Sequence, residues 1–347
     1  MNVFNQLNET VMKKKHVTTL GAMLFLGGGL LILFLCGCSP KSYVVRDIDG
    51  ACAHAKVLAG EDLSDMIPET LIPFWIRAVP PVFVEVNAGV DSLLCAILNR
   101  DKGILQRFAY KGNGPLEYQN PYISEASYSK DGVAFSLLEK QRGRLDRYVY
   151  SIQENRVKLE ESLSFPQEIR MVRHLFRTDR GYIGILDNQQ QTIFTADKEL
   201  KNIEKHPYKE LEVEMTQNES QYFQSMMCVS PDGKQAALSY FRLPRIDILD
   251  SGGETRQVCY YGKRLQVQDI DKHNAKYYFG AIECDNDNIY VLYEGAGNAQ
   301  VVKMTWRGEI VDVYNTPVTT FSIADGSMYA LKLGEEKNTF IRYDMLE

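Results

Sequence analysis

Short apolar runs separated by polar turns follow one another along most of the chain. Residues 133–137 (Val-Ala-Phe-Ser-Leu) follow a Ser-Lys-Asp-Gly turn, and residues 289–293 (Ile-Tyr-Val-Leu-Tyr) follow Asp-Asn-Asp-Asn. Runs of this length, rich in β-branched and aromatic residues and bounded by Asp-Gly or Asn, are typical of β-strands joined by hairpins. Long helices are not evident after residue 37. The pattern therefore predicts an all-β protein.

The turns and strands recur as a unit in which a polar turn precedes an alternating strand, a hairpin and a second strand. The turns are anchored at Gly89, Gly132, Gly181, Gly233, Asn288 and Gly326, between 38 and 55 residues apart. Each unit has room for a third strand before the turn and a fourth after the hairpin, and four strands in about 47 residues match a β-propeller blade. The sequence therefore predicts a propeller of six four-stranded blades. The alternatives are five or seven blades, a β-sandwich, or two smaller β domains.

The ring has to be closed by a strand from one end of the chain. The segment from Tyr43 to Ile48 could supply the missing outer strand of the last blade. Residues 66–81 contain four prolines and are interpreted as irregular chain that packs Trp75 against the ring. The predicted organisation is a signal peptide at 1–37, an attachment segment with a closing strand at 38–82, and the propeller at 83–347.

The N-terminus has the pattern of an export signal. Three lysines at 13–15 precede an apolar run from Leu20 to Leu35, which is short for a membrane-spanning helix. The segment Leu35-Cys36-Gly37-Cys38 resembles the lipobox of bacterial lipoproteins. That resemblance implies cleavage before Cys38, lipid on its thiol, and stable anchoring in a membrane. A retained transmembrane anchor is the alternative, and Met12 is a candidate for the true start.

Two further motifs resemble the six-bladed, TolB-like propeller lipoproteins of Gram-negative bacteria. They are Ser-Pro-Asp-Gly-Lys at 230–234 and Lys-Gly-Asn-Gly-Pro-Leu-Glu-Tyr at 111–118, which is similar to that family's Gly-x-Gly-Pro-x-Glu segment. The resemblance covers most of the mature chain and implies a fold more than an activity. WD and kelch signatures are absent from the sequence. Ser39 after the lipidated cysteine is compatible with an outer-membrane location facing the periplasm.

Charge and cysteine content restrict the partners. After removal of residues 1–37 the chain has 36 basic and 44 acidic residues, which argues against general affinity for nucleic acid. Five cysteines remain besides Cys38, and none of them form a Cys-x-x-Cys pair. Neither a zinc site nor a redox pair is therefore predicted, and most of these thiols are interpreted as core residues.

A search for catalytic motifs finds no nucleophile elbow, no zinc-protease helix and no phosphate-binding loop. The mature histidines at 54, 174, 206 and 273 each stand alone in the sequence, although a ring can bring distant residues together at its axis. Residues 285–288 lack the glycine and glutamate that an EF-hand loop requires at 290 and 296. No catalytic residue, metal site or cofactor is predicted.

One face of the propeller is predicted to collect positive charge. It would carry the hairpin tips with Arg100, Lys140, Arg142, Arg144, Arg242 and Arg245, near Tyr118 and Tyr240. Guanidinium groups bind carboxylates and phosphates, and aromatic rings suit sugars or peptides. These residues form the candidate ligand-binding site, although hairpin tips are also charged simply to remain solvated.

The leading functional hypothesis is a membrane-anchored binding or scaffold module for an envelope protein, peptide or glycan. The alternative is a propeller enzyme, a hydrolase or lyase that acts on a sugar or lactone. An enzyme should place several Glu, Asp, His or Tyr side chains around one axial pocket.

Overall fold

The computed structural model describes residues 43–68, 71–87, 92–188, 191–206, 223–265, 276–334 and 338–345. The predicted signal peptide and Cys38 lie outside these ranges. In the described residues the one α-helix is α1 (Ile48–Cys52), and single 3₁₀ turns occupy Ser64–Met66 and Gln167–Ile169. Among these residues no helix combines the length and apolar character needed to cross a membrane.

The remaining regular structure consists of β-strands in six sheets, each a run of four antiparallel strands. Blade 1 contains β3 (Pro73–Val79), β4 (Val82–Asn87), β5 (Leu93–Asn99) and β6 (Gly103–Tyr110). Blade 2 contains β7 (Pro121–Ser129), β8 (Gly132–Glu139), β9 (Arg144–Ser151) and β10 (Arg156–Ser164). Blade 3 contains β11 (Val172–Arg177), β12 (Tyr182–Leu186), β13 (Ile193–Ala196) and β14 (Glu204–His206).

Blade 4 contains β15 (Ser225–Val229), β16 (Gln235–Tyr240), β17 (Arg245–Asp250) and β18 (Thr255–Tyr261). Blade 5 contains β19 (Phe279–Cys284), β20 (Asn288–Tyr293), β21 (Gln300–Thr305) and β22 (Ile310–Tyr314). Blade 6 contains β23 (Thr320–Ala324), β24 (Ser327–Lys332) and β25 (Thr339–Asp344), and its outer strand is β2 (Gly60–Asp62). The predicted six-bladed β-propeller is confirmed.

The ring closes with a different segment from the one predicted. Strand β2 pairs antiparallel with β25, so the fourth strand of the last blade comes from the N-terminal side of the ring. The expected closing strand instead forms β1 (Tyr43–Arg46), which pairs in parallel with β18 as a fifth strand of blade 4. The assignment of residues 43–48 to the last blade is therefore wrong.

The first blade also differs from the prediction. Residues 73–79, interpreted as irregular chain, form the innermost strand β3, and the turn after it is Pro80–Pro81. Strands β5 and β6, expected as second and third strands, are the third and fourth. Prolines flank β3, where a missing N–H costs the ladder little, so their presence did not exclude a strand. Trp75 consequently lies within the ring rather than against it.

The predicted turn residues do occur between the first and second strands of the other blades. Gly132 has φ 141° and Gly233 has φ 72°, values that L-residues rarely adopt. A Cβ on Gly132 would also overlap the carbonyl oxygen of Tyr150. Glycine is therefore required at this turn by both backbone conformation and space.

Because successive strands run in opposite directions, the loops divide between two faces. The top face carries the loops between second and third strands and the connections between blades. The bottom face carries the turns between first and second and between third and fourth strands. Apolar side chains fill the space between blades, as where Phe135 of blade 2 packs 5.4 Å from Phe108 of blade 1, ring centroid to centroid. Burial of one such ring contributes about 2–3 kcal/mol to stability.

Candidate ligand-binding site

Arg144 and Tyr118, two of the predicted site residues, are buried inside blade 2. Arg144 donates from Nε to Asp146 at 2.6 Å, and the Tyr118 hydroxyl lies 2.5 Å from the same carboxylate. The guanidinium also stacks over the Tyr118 ring and donates to the carbonyl of Pro115. These contacts fix the connection between blades 1 and 2 from within, so neither side chain belongs to a ligand-facing surface.

Arg245 and Tyr240 make the same arrangement in blade 4. Both nitrogens of a guanidinium fork, Nε and Nη2, donate to Asp247 at 2.6 and 2.9 Å, and the Tyr240 hydroxyl donates to it at 3.0 Å. All three residues are buried. The repeated Arg-x-Asp pair on a third strand is thus a structural element of the blades.

Arg142 lies on the top face but binds the protein itself. Its Nη1 and Nη2 donate to the carbonyl oxygens of Gly114 at 2.6 Å and Gly112 at 3.2 Å. The motif at 111–118 is therefore held by Arg142 from above and Arg144 from below. Arg142 is predominantly a positioning residue for this loop.

Arg100 lies away from the other predicted residues. It occupies the turn between β5 and β6, on the bottom face, where it pairs with Glu61 of the closing strand. The incorrect strand order assigned to blade 1 is the reason that the sequence analysis placed Arg100 on the other face.

Lys140 and Arg242 are the other predicted residues on the top face. Each lies over an aromatic ring: Lys140 Nζ is 5.5 Å from the Tyr122 centroid, and the Arg242 guanidinium is 3.6 Å from that of Tyr277. Arg173, which the sequence analysis did not select, lies between them with its guanidinium 5.5 Å from the Phe241 centroid. Lys140, Arg173 and Arg242 together are named the cationic arc.

Beneath the arc, innermost strands of several blades bring polar side chains to the propeller axis. We name this set the axial cluster: Trp75, Arg77, Tyr122, His174 and Glu283. The Tyr122 ring lies 5.0 Å from that of Trp75 and 5.5 Å from that of His174, centroid to centroid. An ion pair joins Arg77 of blade 1 to Glu283 of blade 5, although blade 6 lies between these blades in the ring. The pair therefore spans the axis.

The axial cluster contains polar atoms that no described residue satisfies. They are Trp75 Nε1, Arg77 Nε, both ring nitrogens of His174 and Glu283 Oε1. His174 is only 3% exposed. Buried polar groups in folded proteins are nearly always hydrogen-bonded, and each unpaired one costs about 1–3 kcal/mol. Five such atoms around one axis leave hydrogen-bonding capacity that ordered water or a ligand can satisfy.

The charges above the cluster are likewise poorly compensated. Lys140 and Arg173 form no ion pair within the described part of the chain, and the nearest opposing influence is Asp187. Burial and the neighbouring Arg173 lower the pKa of Lys140 to about 8. Burial, followed by the charges of Lys140 and Arg173, holds the pKa of His174 well below its usual value, so this imidazole is neutral. An anion placed here would relieve the mutual repulsion of the two cations.

No metal centre is indicated by the described residues, in which no group of three or more His, Cys, Asp or Glu side chains is placed to hold an ion. The donor-rich character of the axial cluster instead favours an organic or inorganic anion. Sequence reasoning found Lys140 because it lies on a hairpin tip. It missed Arg173 and Arg77, whose positions on innermost strands carry no local signal of the axis.

Comparisons with known proteins identify the fold. No protein-family model matches the chain, and no curated protein matches its sequence. A member of the DUF4221 family from Bacteroides vulgatus is 11% identical, with 83% of this chain and 96% of that chain covered and a TM-score of 0.52. Raptor from Chaetomium thermophilum is 10% identical, with 87% of this chain and 30% of that chain covered and a TM-score of 0.50.

A protein from Bacteroides fragilis described as exported is 12% identical, with 87% and 98% of the two chains covered and a TM-score of 0.49. At such low identities the similarity concerns the fold alone.

Proposed function

We propose that this propeller is a binding module that docks an anionic group of an envelope partner at the top of its axis. The observation that carries the proposal is the combination of Lys140 and Arg173, which lack ion pairs among the described residues, with the unsatisfied donors of the axial cluster. Charge-assisted hydrogen bonds are the strongest that such donors make. The wide top face, with exposed Tyr277 and Met171, offers further contact area for a protein or peptide.

The proposal can be tested with a decaglutamate peptide amidated at its C-terminus. Trp75 serves as the reporter, because the chain has two tryptophans and a Trp306→Phe variant leaves Trp75 alone. The peptide is expected to change Trp75 emission in a saturable manner, and Lys140→Ala with Arg173→Ala should weaken its affinity by about tenfold or more, the equivalent of about 1.4 kcal/mol.

Arg100→Ala with Lys102→Ala is the matched control, because it removes two positive charges from the turn between β5 and β6 on the bottom face. It should leave the affinity within about twofold of the unsubstituted protein, since exposed charges more than a Debye length of about 8–10 Å away are screened. If the top-face and bottom-face substitutions weaken the affinity equally, the interaction is nonspecific charge attraction. Absence of any Trp75 response would reject the axial site.

One observation favours the alternative of an axial enzyme. Tyr122, His174 and Glu283 converge on innermost strands, and burial raises the pKa of Glu283 while it keeps His174 neutral. A carboxyl group and a neutral imidazole are the groups that general acid–base catalysis most often uses. If the protein turns over a sugar lactone and His174→Phe abolishes that turnover, the protein is a hydrolase or lyase. Anion binding without turnover supports the binding module.

The proposed location is the outer membrane, with lipid on Cys38 and the propeller in the periplasm. The signal-like N-terminus supports export. Strand β1 runs parallel to β18, which rises from the bottom face to the top face, so the chain before Tyr43 leaves from the bottom side of blade 4. Four residues lie between Cys38 and Tyr43, and the five Cα–Cα steps that join them span at most about 18 Å. A lipid on Cys38 would thus be joined to the propeller by a short stretch of chain.

A Cys38→Ala variant is expected to move the protein from the membrane fraction to the soluble fraction, because the thiol that accepts the lipid is removed. Cys36→Ala, two residues earlier, is the control and should remain with membranes. Fractionation followed by immunoblotting measures both. Membrane retention of the Cys38→Ala protein would instead support an uncleaved transmembrane anchor.

A further inference from the structure

The unsatisfied atoms of the axial cluster include acceptors as well as donors. Trp75 Nε1 and Arg77 Nε donate, and Glu283 Oε1 accepts when ionised. A neutral imidazole has one nitrogen that donates and one that accepts, and both nitrogens of His174 lack a partner among the described residues. The complementary group must therefore accept several hydrogen bonds and also donate at least one. Sulfate and fully ionised phosphate offer acceptors alone.

The cationic arc favours a ligand that carries a single negative charge. Lys140 and Arg173 are two cations that share one carboxylate, Asp187, as their opposing charge. Below them the Arg77 guanidinium is already neutralised by its ion pair with Glu283. One positive charge is left uncompensated, which suits a monoanion better than a dianion.

The aromatic rings of the top face are poorly suited to a sugar. Stacking on a sugar needs an open ring face, but a cation lies over one face of Tyr122, Phe241 and Trp75. Tyr122 is also only 9% exposed. These rings therefore hold the cations in place, and the ligand is recognised through charge and hydrogen bonds.

We infer that the anionic group is the C-terminal carboxylate of a peptide chain that enters the top of the axis end first. The inference rests on the proposed binding function and names its ligand. The carboxylate accepts from Trp75, Arg77 and one His174 nitrogen, while the last peptide N–H donates to Glu283 or to the other His174 nitrogen. Entry requires Lys140, whose flexible side chain lies over Tyr122, to turn outward and then close on the carboxylate.

The test compares acetyl-Ala-Ala-Ala with a free C-terminal carboxylate and the same peptide as the C-terminal amide. Trp75 emission in the Trp306→Phe protein reports binding of both. The free acid is expected to bind at least about tenfold more tightly than the amide, because the amide loses the negative charge and one acceptor oxygen. Glucuronate, a carboxylate on a sugar, should bind more weakly than the peptide acid.

His174→Phe separates recognition from folding. The substituted ring is apolar and of similar size, and the neutral imidazole contributes no charge, so the cationic arc is unchanged. Affinity for the peptide acid should fall about tenfold or more, while the melting temperature should be equal or higher because two unsatisfied nitrogens are removed. Decaglutamate amide should still bind this variant through the arc.

The outcomes distinguish the inference from the proposed function. If the peptide acid and the peptide amide bind with equal affinity, or if glucuronate binds more tightly than the acid, the ligand is not a peptide C-terminus. Binding of decaglutamate in that case would still support the proposed binding module. Failure of all four probes overturns both. If His174→Phe binds the peptide acid with unchanged affinity, the axial cluster does not take part in recognition of the ligand.

Discussion

Replacement of Asp146 by alanine is expected to lower the free energy of unfolding by about 3–5 kcal/mol, as for other buried ion pairs that lose one partner. The Asp146 carboxylate is fully buried and accepts hydrogen bonds from Tyr118, Arg144 and Ser162 at 2.5, 2.6 and 2.6 Å. Its removal leaves a buried guanidinium and two hydroxyl groups without their acceptor. Equilibrium unfolding in urea measures the loss as a lower midpoint with little change in slope.

Two further variants give this prediction its controls. Asp146→Asn keeps one acceptor oxygen and should cost less than the alanine substitution. Glu160→Ala, on the adjacent strand, breaks a largely exposed pair with Arg147 at 3.7 Å and should cost less than about 1 kcal/mol. If Asp146→Ala cost no more than Glu160→Ala, the buried network would have no special role in blade stability.

Glu85→Gln is expected to stabilise the protein at neutral pH by roughly 3 kcal/mol. Glu85 lies on β4 with none of its surface exposed, and neither carboxylate oxygen has a hydrogen-bond partner among the described residues. Burial raises the pKa of this carboxyl from its ordinary 4.5 to about 8, against the opposing charge of Arg107. The folded protein therefore holds a proton here that the unfolded chain releases.

The direction of the pH dependence follows from that proton. Below pH 4.5 both states are protonated and Glu85 contributes no penalty. Between pH 4.5 and 8 the folded state binds more protons than the unfolded state, so stability falls by about 1.4 kcal/mol per pH unit from this group. Glutamine is neutral throughout and removes the slope.

Thermal or urea unfolding at pH 4 and pH 7 measures the effect. The difference between Glu85→Gln and the unsubstituted protein should be small at pH 4 and large at pH 7. Glu199→Gln, at an exposed position, controls for the general loss of a negative charge. A difference that is equal at both pH values would mean that the carboxyl is ionised in the folded protein.

Much of the fold could be predicted because propeller blades repeat a local signal. Residues such as Gly132 and Gly233 occupy turns whose backbone only glycine adopts easily, and the strands after them alternate in polarity. In the first blade this turn is Pro80–Pro81 rather than a glycine turn. Strands β5 and β6 were therefore assigned one position too early in the blade. The three-residue strand Gly60–Asp62 closes the ring by pairing with β25, and it is too short for an alternating side-chain pattern to mark it.

The candidate site was predictable only in part, because its residues come from five blades. Lys140 and Arg242 were predicted because they lie at hairpin tips. Arg173 and Arg77 lie on innermost strands, where the sequence does not distinguish a charged residue at the axis from one that alternates toward solvent. Arg144 and Arg245 were misassigned to the surface. The aspartate two residues after each arginine lies on the same side of its strand, which is the signal that would have predicted a buried pair.

The N-terminal segment also determines how the ring responds to mechanical force. Before the closing strand β2, the chain is held by β1 along blade 4 and by Lys56, whose N–H donates to the carbonyl of Val313 at 2.7 Å on blade 5. A pull on the residues before Tyr43, directed toward the bottom face, acts along β1 and loads its hydrogen bonds together rather than one by one. The tension therefore reaches blades 4 and 5 before it reaches the closing strand in blade 6.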